Sequence, residues 1–240
     1  VKHNNPCGAA SDDDLLKAYD LAIKTDPESS FGGIIALNGE VDEKLAESIT
    51  SAFKEGVIAP SYTNSALSIL SSKENLRVLQ TGPLSDYQRT PSLRSIDGGW
   101  LFQEADNVSI DLSECKVVTA REPNADEMKS LQFGWNIVKH VKSNAIVFTK
   151  QQRTVGIGAG QMSRIDSVRI ASSKSVPNAE NTVMASDAFF PFRDGLDEAV
   201  KSGVTAVVQP GGSVRDQEVI DAANENNIAM IFTGVRHFKH

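Results

Sequence analysis

The feature that most constrains this chain is the alternation of short apolar runs with longer stretches that repeat apolar residues at helical spacing. The apolar runs fall at residues 34–37, 56–59, 76–80, 145–149, 154–157, 183–185, 205–208 and 228–232. Between them lie segments such as Leu15, Leu16, Tyr19, Ala22 and Ile23, or Leu45, Ala46, Ile49, Ala52 and Phe53, whose spacing is that of one helix face. Such alternation argues an α/β fold in which the loops gather at one end of a sheet.

Local signals place the helices. Ser11 with Asp14 reads as a capping box for a helix over residues 12–24, with Asp12-Asp13-Asp14 as a solvated first turn on the positive end of the helix dipole. Helices are expected from residue 41 to 53 and from 64 to 71. Asn124 caps a long helix to about residue 142, and further helices cover 163–172, the stretch up to Ser202, and the segment after a second capping box at Ser213 and Asp216. Residues 81–107 have no clean period and contain Gly82-Pro83, Pro91 and Gly98-Gly99. They read as a surface excursion with a short extended piece around Trp100-Leu101-Phe102. A boundary between two subdomains is placed near residues 111–118, giving 1–115 and 116–240.

Length and charge narrow the function. With 240 residues, 40% of them hydrophobic, the chain can bury a substantial core in one large domain or two ordinary ones. Twenty-four basic against thirty-one acidic residues give a net charge of −7, which disfavours a nucleic-acid partner while allowing a local cationic pocket for one phosphate. Two cysteines, Cys7 and Cys115, supply neither a disulfide framework nor paired zinc spacing, a pattern suited to a reducing cytoplasm. No apolar window is long enough for a membrane span.

Two stretches carry the candidate chemistry. Lys2 and His3 are adjacent titratable groups in Val1-Lys2-His3-Asn4-Asn5-Pro6-Cys7-Gly8, on a segment that turns at Asn5-Pro6 and so ends a strand where loops meet scaffold. Ser186-Asp187-Ala188-Phe189-Phe190-Pro191-Phe192-Arg193-Asp194 sets three phenylalanines and a proline between aspartates, a rigid apolar wall suited to a flat heteroaromatic ligand. Cys7 is read as a packed thiol in a Pro-Cys-Gly turn before it is read as a nucleophile. Gly156-x-Gly158-x-Gly160 lacks dinucleotide-fingerprint spacing and reads as a tight turn bringing Gln161, Ser163, Arg164 and Ile165 to a cleft. Pro210-Gly211-Gly212-Ser213 serves equally as an anion-binding helix start or as a plain capped one. Arg236 follows the last strand, where a guanidinium can take a phosphate through two parallel hydrogen bonds.

These residues occur in a recognisable order. Lys2 to Gly8, Ser30 to Gly33, Ile58-Ala59-Pro60, Ser143-Asn144-Ala145, Gly156 to Gln161 with Ser163-Arg164, Ser186 to Asp194, and Arg236-His237-Phe238 with His240 resemble the AICAR transformylase part of the bifunctional purine biosynthesis family. The resemblance runs from the first residue to the last, although that region of the family begins well before its Lys-His pair, so the chain is expected to be amino-terminally truncated. It implies two three-layer α/β/α subdomains of cytidine-deaminase-like topology. The zinc cage of the deaminases is not expected: the chain has Asn5 where a His-x-Glu pattern needs its acid, and Pro6-Cys7 without a second nearby cysteine.

The resemblance also implies a reaction: transfer of a formyl group from the cosubstrate 10-formyltetrahydrofolate to the 5-amino group of AICAR, the aminoimidazole carboxamide ribonucleotide. His3 is then the candidate for proton removal and Lys2 the donor to the folate nitrogen or the oxyanion. Asn144 would hold the formyl oxygen or the amine. Gly32, Glu55, Phe189 and Arg236 are implied nucleotide contacts; Ile165, Pro191, Phe192, Asp194 and Gly211 are implied folate contacts. No metal ligands are assigned. Potassium stays open, because Lys239 stands where other members carry a potassium-binding His, and its ammonium would occupy the cation's place. A cytoplasmic homodimer with the site at its interface is expected, with no nucleic acid or membrane partner. The alternative is a folded ligand-binding or dimerisation fragment without activity.

Overall fold

A computed structural model describes residues 1–86, 90–175 and 179–240. In chain order the elements are α1 (Leu15–Ile23), α2 (Pro27–Ser30), β1 (Ile34–Ala36), α3 (Glu43–Thr50), β2 (Gly56–Ala59), α4 (Asn64–Ser71), β3 (Arg77–Gln80), β4 (Ser92–Ile96) and β5 (Gly99–Gln103). They continue with β6 (Lys116–Val117), α5 (Ala125–Val138), β7 (Ile146–Lys150), β8 (Arg153–Gly158), α6 (Arg164–Ser175), β9 (Thr182–Ser186), α7 (Asp194–Lys201), β10 (Val204–Gln209), α8 (Asp216–Glu225) and β11 (Ala229–Phe232). The α/β alternation is realised: a parallel sheet β1-β2-β3, and a mixed sheet in the order β6-β11-β10-β9-β7-β8.

The larger sheet is buried on both faces, which is why its strands read as continuous apolar runs rather than as alternating ones. On one side, α6, α7 and α8 pack Val168, Ala171, Leu196, Ala199, Val219 and Ala222 against Phe148, Met184 and Val207. On the other, α5 lays Leu131, Trp135 and Val138 over Val147, Ala185, Ala206 and Ile231. In the smaller sheet, Ile35, Val57 and Ala59 share a core with α3 and α4 through Leu45, Ile49, Ala66 and Leu70. Side chains alternate faces along a strand, so Ile34, Ala36 and Ile58 point the other way. That face lines a cleft of about 600 Å³ together with α1 and residues 6–12.

Several expectations need correction. The first helix starts at Leu15, capped by Asp14 rather than Ser11. Ser11 is engaged elsewhere: its N–H donates to Gln152 O, and Ala10 bridges Arg153, so residues 9–11 extend the edge of β8 instead of winding into a helix. α5 ends at Val138, four residues short, because Val141 is drawn into the core and the Lys142 N–H turns to Asn5 Oδ1. Ser213 and Asp216 make half a capping box: Asp216 accepts from the Gly212 and Ser213 N–H groups, but Ser213 Oγ accepts from Arg215. The excursion contains a hairpin, β4 paired with β5 across Asp97-Gly98, a two-residue turn of the Asp-Gly type that the pattern could have revealed. Residues 87–89 of that stretch lie outside the described ones.

The glycine run also differs from its reading as a turn. Gly156 and Gly158 lie inside β8, where a Cβ would come within 2.1 Å of Ala171 O and 1.9 Å of Ser167 O. They are glycines so that α6 can lie directly on the strand; of the three, only Gly160, at φ +70°, makes a turn.

The first half is fastened to this edge by Thr154, which is fully buried. Thr154 Oγ1 accepts from Ala9 N–H at 2.8 Å and meets Thr25 Oγ1 at 2.9 Å, while Thr25 Oγ1 donates to Thr154 O at 2.7 Å. Thr154→Val keeps the shape and removes the hydroxyl, stranding a buried donor. Urea denaturation is expected to show a loss of about 1–3 kcal/mol; an unchanged midpoint would mean the clasp contributes nothing.

Candidate functional site

The amino-terminal segment forms a tight turn. Lys2 N–H donates to Asn5 O at 2.8 Å and Asn5 N–H to Lys2 O at 3.0 Å, with His3 at φ 50° and Asn4 at φ 67°. Positive φ at both central residues is the signature of a type I′ hairpin turn, and it sets the exposed His3 at the tip. A non-glycine residue holds such a conformation only where its surroundings fix it. Here they do so on two sides. Towards the smaller sheet, Val1 and Ile34 exchange both backbone hydrogen bonds at 2.8 Å, and Lys2 Nζ donates to Phe31 O at 2.7 Å. Towards the larger one, Asn5 Oδ1 accepts from Lys142 N–H at 2.9 Å, and Lys239 Nζ donates to Asn4 O and His140 O.

The turn thereby brings Lys2 and His3 between two groups of expected site residues. One is the loop before β1. Gly32, at φ +65°, donates to Phe53 O, and Glu55 N–H donates to Gly33 O. The Glu55 carboxylate is taken up by Arg77 at 2.5 Å on the surface. The other group surrounds Asn144, where Ser143 and Lys239 are joined by Ser143 N–H to Lys239 O at 2.9 Å.

Asn144 is fully organised. Its Nδ2 donates to Gln161 O at 2.9 Å and Met162 O at 3.1 Å, and its Oδ1 accepts from Arg164 Nη2 at 2.8 Å. Arg164, itself buried, also donates from Nη1 to Asp187 Oδ1 at 2.5 Å and Ser186 Oγ at 2.9 Å. Asp187 is completely buried, and its Oδ2 accepts from Ser143 Oγ at 2.6 Å. Sequence reasoning brought Arg164 to the cleft without a partner, and gave Asp187 and Ser143 no role of their own. The signal available was an aspartate closing an apolar strand, where a charge needs a partner.

The Phe-Pro wall divides. Phe190 is 1% exposed and belongs to the core, whereas Phe189 is half-buried and Pro191 and Phe192 are exposed. Arg215 lies over the Phe192 ring, 4.6 Å from its centre. Ile165 opens α6, Asp194 opens α7 with its Oδ1 accepting from Gly195 N–H, and Gly211, at φ +70°, is buried against the Phe232 ring. Pro191, Phe192, Asp194 and Gly211 therefore stand where β9 and β10 give way to loops, and Ile165 stands in the first turn of the helix that follows β8. Arg236 is exposed, its guanidinium 5.5 Å from the centre of the Phe238 ring. The 600 Å³ cleft is lined by Cys7 and Lys54 but by none of Asn144, Ile165, Phe189 or Arg236. Cys7 is half-buried rather than buried.

Burial shapes two amines. Desolvation pushes the Lys239 pKa down, reinforced by Lys142. The Lys54 amine, 5% exposed and donating to Ser30 O at 2.8 Å, is likewise lowered by burial and then by Lys2, against an opposing pull from Cys7. Among the described residues, no group of three His, Cys, Asp or Glu side chains could hold a metal ion, and no helix is long and apolar enough to cross a membrane.

A model of the AICARFT/IMPCHase bienzyme family matches residues 1–174. The chain belongs to this family. Across its whole length it is 53% identical to the bifunctional purine biosynthesis protein PurH of Magnetococcus marinus and 51% identical to that of Bartonella bacilliformis. It covers 48% and 47% of those proteins, so it spans about half the length of the curated relatives it matches. A solved structure described as protein ybgI, of unknown function, aligns with 88% of this chain and 75% of its own. Its 10% identity and TM-score of 0.22 carry no argument about the fold.

Lys54 gives a test of the electrostatics. Its folded pKa lies below the ordinary 10.5, so unfolded chains bind the extra proton between those values, and this group's contribution to stability rises with pH through that window. Lys54→Met is expected to raise stability near pH 7, since Ser30 O still accepts from Gly33 N–H, and to flatten the alkaline rise. Urea titrations near pH 7 and pH 10 check this; a variant less stable at neutral pH contradicts it.

Proposed function

We propose that this chain carries folate-dependent formyl transfer in purine biosynthesis: the formyl group of 10-formyltetrahydrofolate passes to the 5-amino group of AICAR. The observation that carries the reading is the Lys2-His3 turn, pinned between the Phe31-Gly32 loop and the Asn144 cluster, in a chain more than half identical to PurH proteins. Those relatives are named for bifunctional purine biosynthesis, and this chain corresponds to about half of each.

The amine of AICAR is a weak nucleophile because its lone pair is delocalised towards the carboxamide. Attack on the formyl carbon forms a C–N bond and breaks the bond to the folate nitrogen. The amine must lose a proton and the leaving nitrogen must gain one. His3, at the turn tip, takes the first proton, and Lys2 supplies the second or holds the oxyanion. Both Asn144 N–H groups are committed to carbonyls, so its free capacity is the second lone pair on Oδ1, which suits the amine rather than the formyl oxygen. Phe189 flanks the aminoimidazole, Arg236 takes the phosphate, and the folate lies along Ile165, Pro191, Phe192, Asp194 and the Gly211 backbone. The Lys239 ammonium, already held by two carbonyl oxygens, supplies the monovalent charge for which potassium is the alternative.

The active form in this reading is a homodimer with Asn144, Ile165, Phe189 and Pro191 near the junction. The β4-β5 hairpin supports an interface: Trp100 is 66% and Phe102 68% exposed, beside exposed Leu93, Ile96 and Leu101.

His3→Ala and Lys2→Ala are expected to lower kcat by about 100-fold or more with little change in KM, whereas Arg236→Ala mainly raises KM for the nucleotide. Steady-state assays of tetrahydrofolate release decide; wild-type kcat with a raised KM in His3→Ala would make His3 a binding residue. A saturating folate analogue is expected to raise the melting temperature, because only the native state binds it. No shift would favour a folded fragment without activity.

A further inference from the structure

The Asn144 cluster contains a buried charge that the proposed chemistry does not use. Asp187 is 0% exposed, and its two carboxylate oxygens face different partners: Oδ1 takes Arg164 Nη1 at 2.5 Å and Oδ2 takes Ser143 Oγ at 2.6 Å. Its backbone is fixed as well, through N–H to Ala145 O and through its carbonyl, which accepts from His237 N–H. Arg164 is held by this carboxylate and Ser186, and its other terminal nitrogen ends on Asn144 Oδ1.

The network dictates how the Asn144 amide faces. Rotated by half a turn, it would set its oxygen against the Gln161 and Met162 carbonyls and its NH₂ against a guanidinium, three repulsive contacts in place of three hydrogen bonds. Removing the carboxylate leaves a guanidinium buried without a counter-charge, which drives it towards water and releases Oδ1. With Arg164 gone, the amide keeps only its two bonds to the Gln161 and Met162 carbonyls, and its oxygen loses the donor that held it, so the acceptor is no longer fixed from both ends.

We propose that Asp187 is a positioning residue that, through Arg164, fixes Asn144 as a hydrogen-bond acceptor, so that the site selects a nucleotide presenting an N–H donor at the reacting position. This rests on the formyl-transfer reading above and adds the selection rule.

The test uses the full-length protein carrying this sequence. Asp187→Asn keeps the size of the side chain and removes its charge. Arg164→Lys keeps a cation for the carboxylate and loses the second arm to Asn144, which guards against a fold lost in the first variant. The first readout needs no substrate: in wild type, the Asn144 side-chain amide protons exchange with water far more slowly than those of exposed asparagines, and either variant speeds that exchange, because the amide loses the bond that holds its oxygen. The second is binding of AICAR against its analogue with hydrogen in place of the 5-amino group. Wild type favours the amine by about tenfold, the worth of one such hydrogen bond, and the variants lose that preference while folate binding is retained. Unprotected amide protons in wild type, or an unchanged preference in two folded variants, overturns the proposal. A wild type that binds neither nucleotide removes the formyl-transfer reading and, with it, the selection rule.

Discussion

The arrangement depends on the buried clasp between Thr154 and residues 9 and 25. Without it, the smaller sheet and the amino-terminal turn would hold to the larger sheet through more exposed contacts, such as the Lys174–Asp26 ion pair and the Asn5–Lys142 bond. Ala9 and Ser11 add backbone hydrogen bonds to the same strand, so the chain entering from the Lys2-His3 turn is tied to the larger sheet before α1 begins. A hydrogen-bonded clasp, unlike an apolar contact, fixes register as well as distance. The turn therefore reaches Lys142 and Lys239 at a defined place.

Close packing on β8 does the corresponding work on the far side. With glycine at 156 and 158, α6 lies against the strand backbone, which sets Arg164 at the helix start beside Ser186 and Asp187 at the end of β9. A buried ion pair of this kind contributes little net stability, because desolvation offsets its attraction. Its effect is on orientation: it holds a guanidinium, and with it an amide, in one geometry. The carboxy-terminal segment closes over the same point, with the His237 ring tilted against Trp135 and Lys239 bonded to Ser143.

The surface tells a different story from the core. Ile34 and Leu79 on the open face of the smaller sheet, and the apolar side chains of the β4-β5 hairpin, are as exposed as the larger sheet is buried. The chain also spans only about half of the relatives it matches.

The sequence by itself determined the α/β class, the strands of the two main sheets apart from β6, and the helices whose caps are local, such as α4 with Thr63 and α5 with the Asn124–Glu127 box. Those signals sit within a few residues of one another, so short-range physics decides them. It also singled out Lys2 and His3 beside a turn, but put that turn at Asn5-Pro6, whereas the structure closes it across Lys2 and Asn5 with His3 and Asn4 at its centre. Tertiary structure decided the rest. Ser11 gave up its cap to pair with β8, Gly156 and Gly158 proved to be packing residues rather than turn residues, and Phe190 parted from Phe189 and Phe192 to enter the core. Arg164 and Asp187 are twenty-three residues apart and have meaning only as a pair. Each of these outcomes depends on a partner distant in sequence, and a buried charge or an absent side chain reveals its purpose only once that partner is in place.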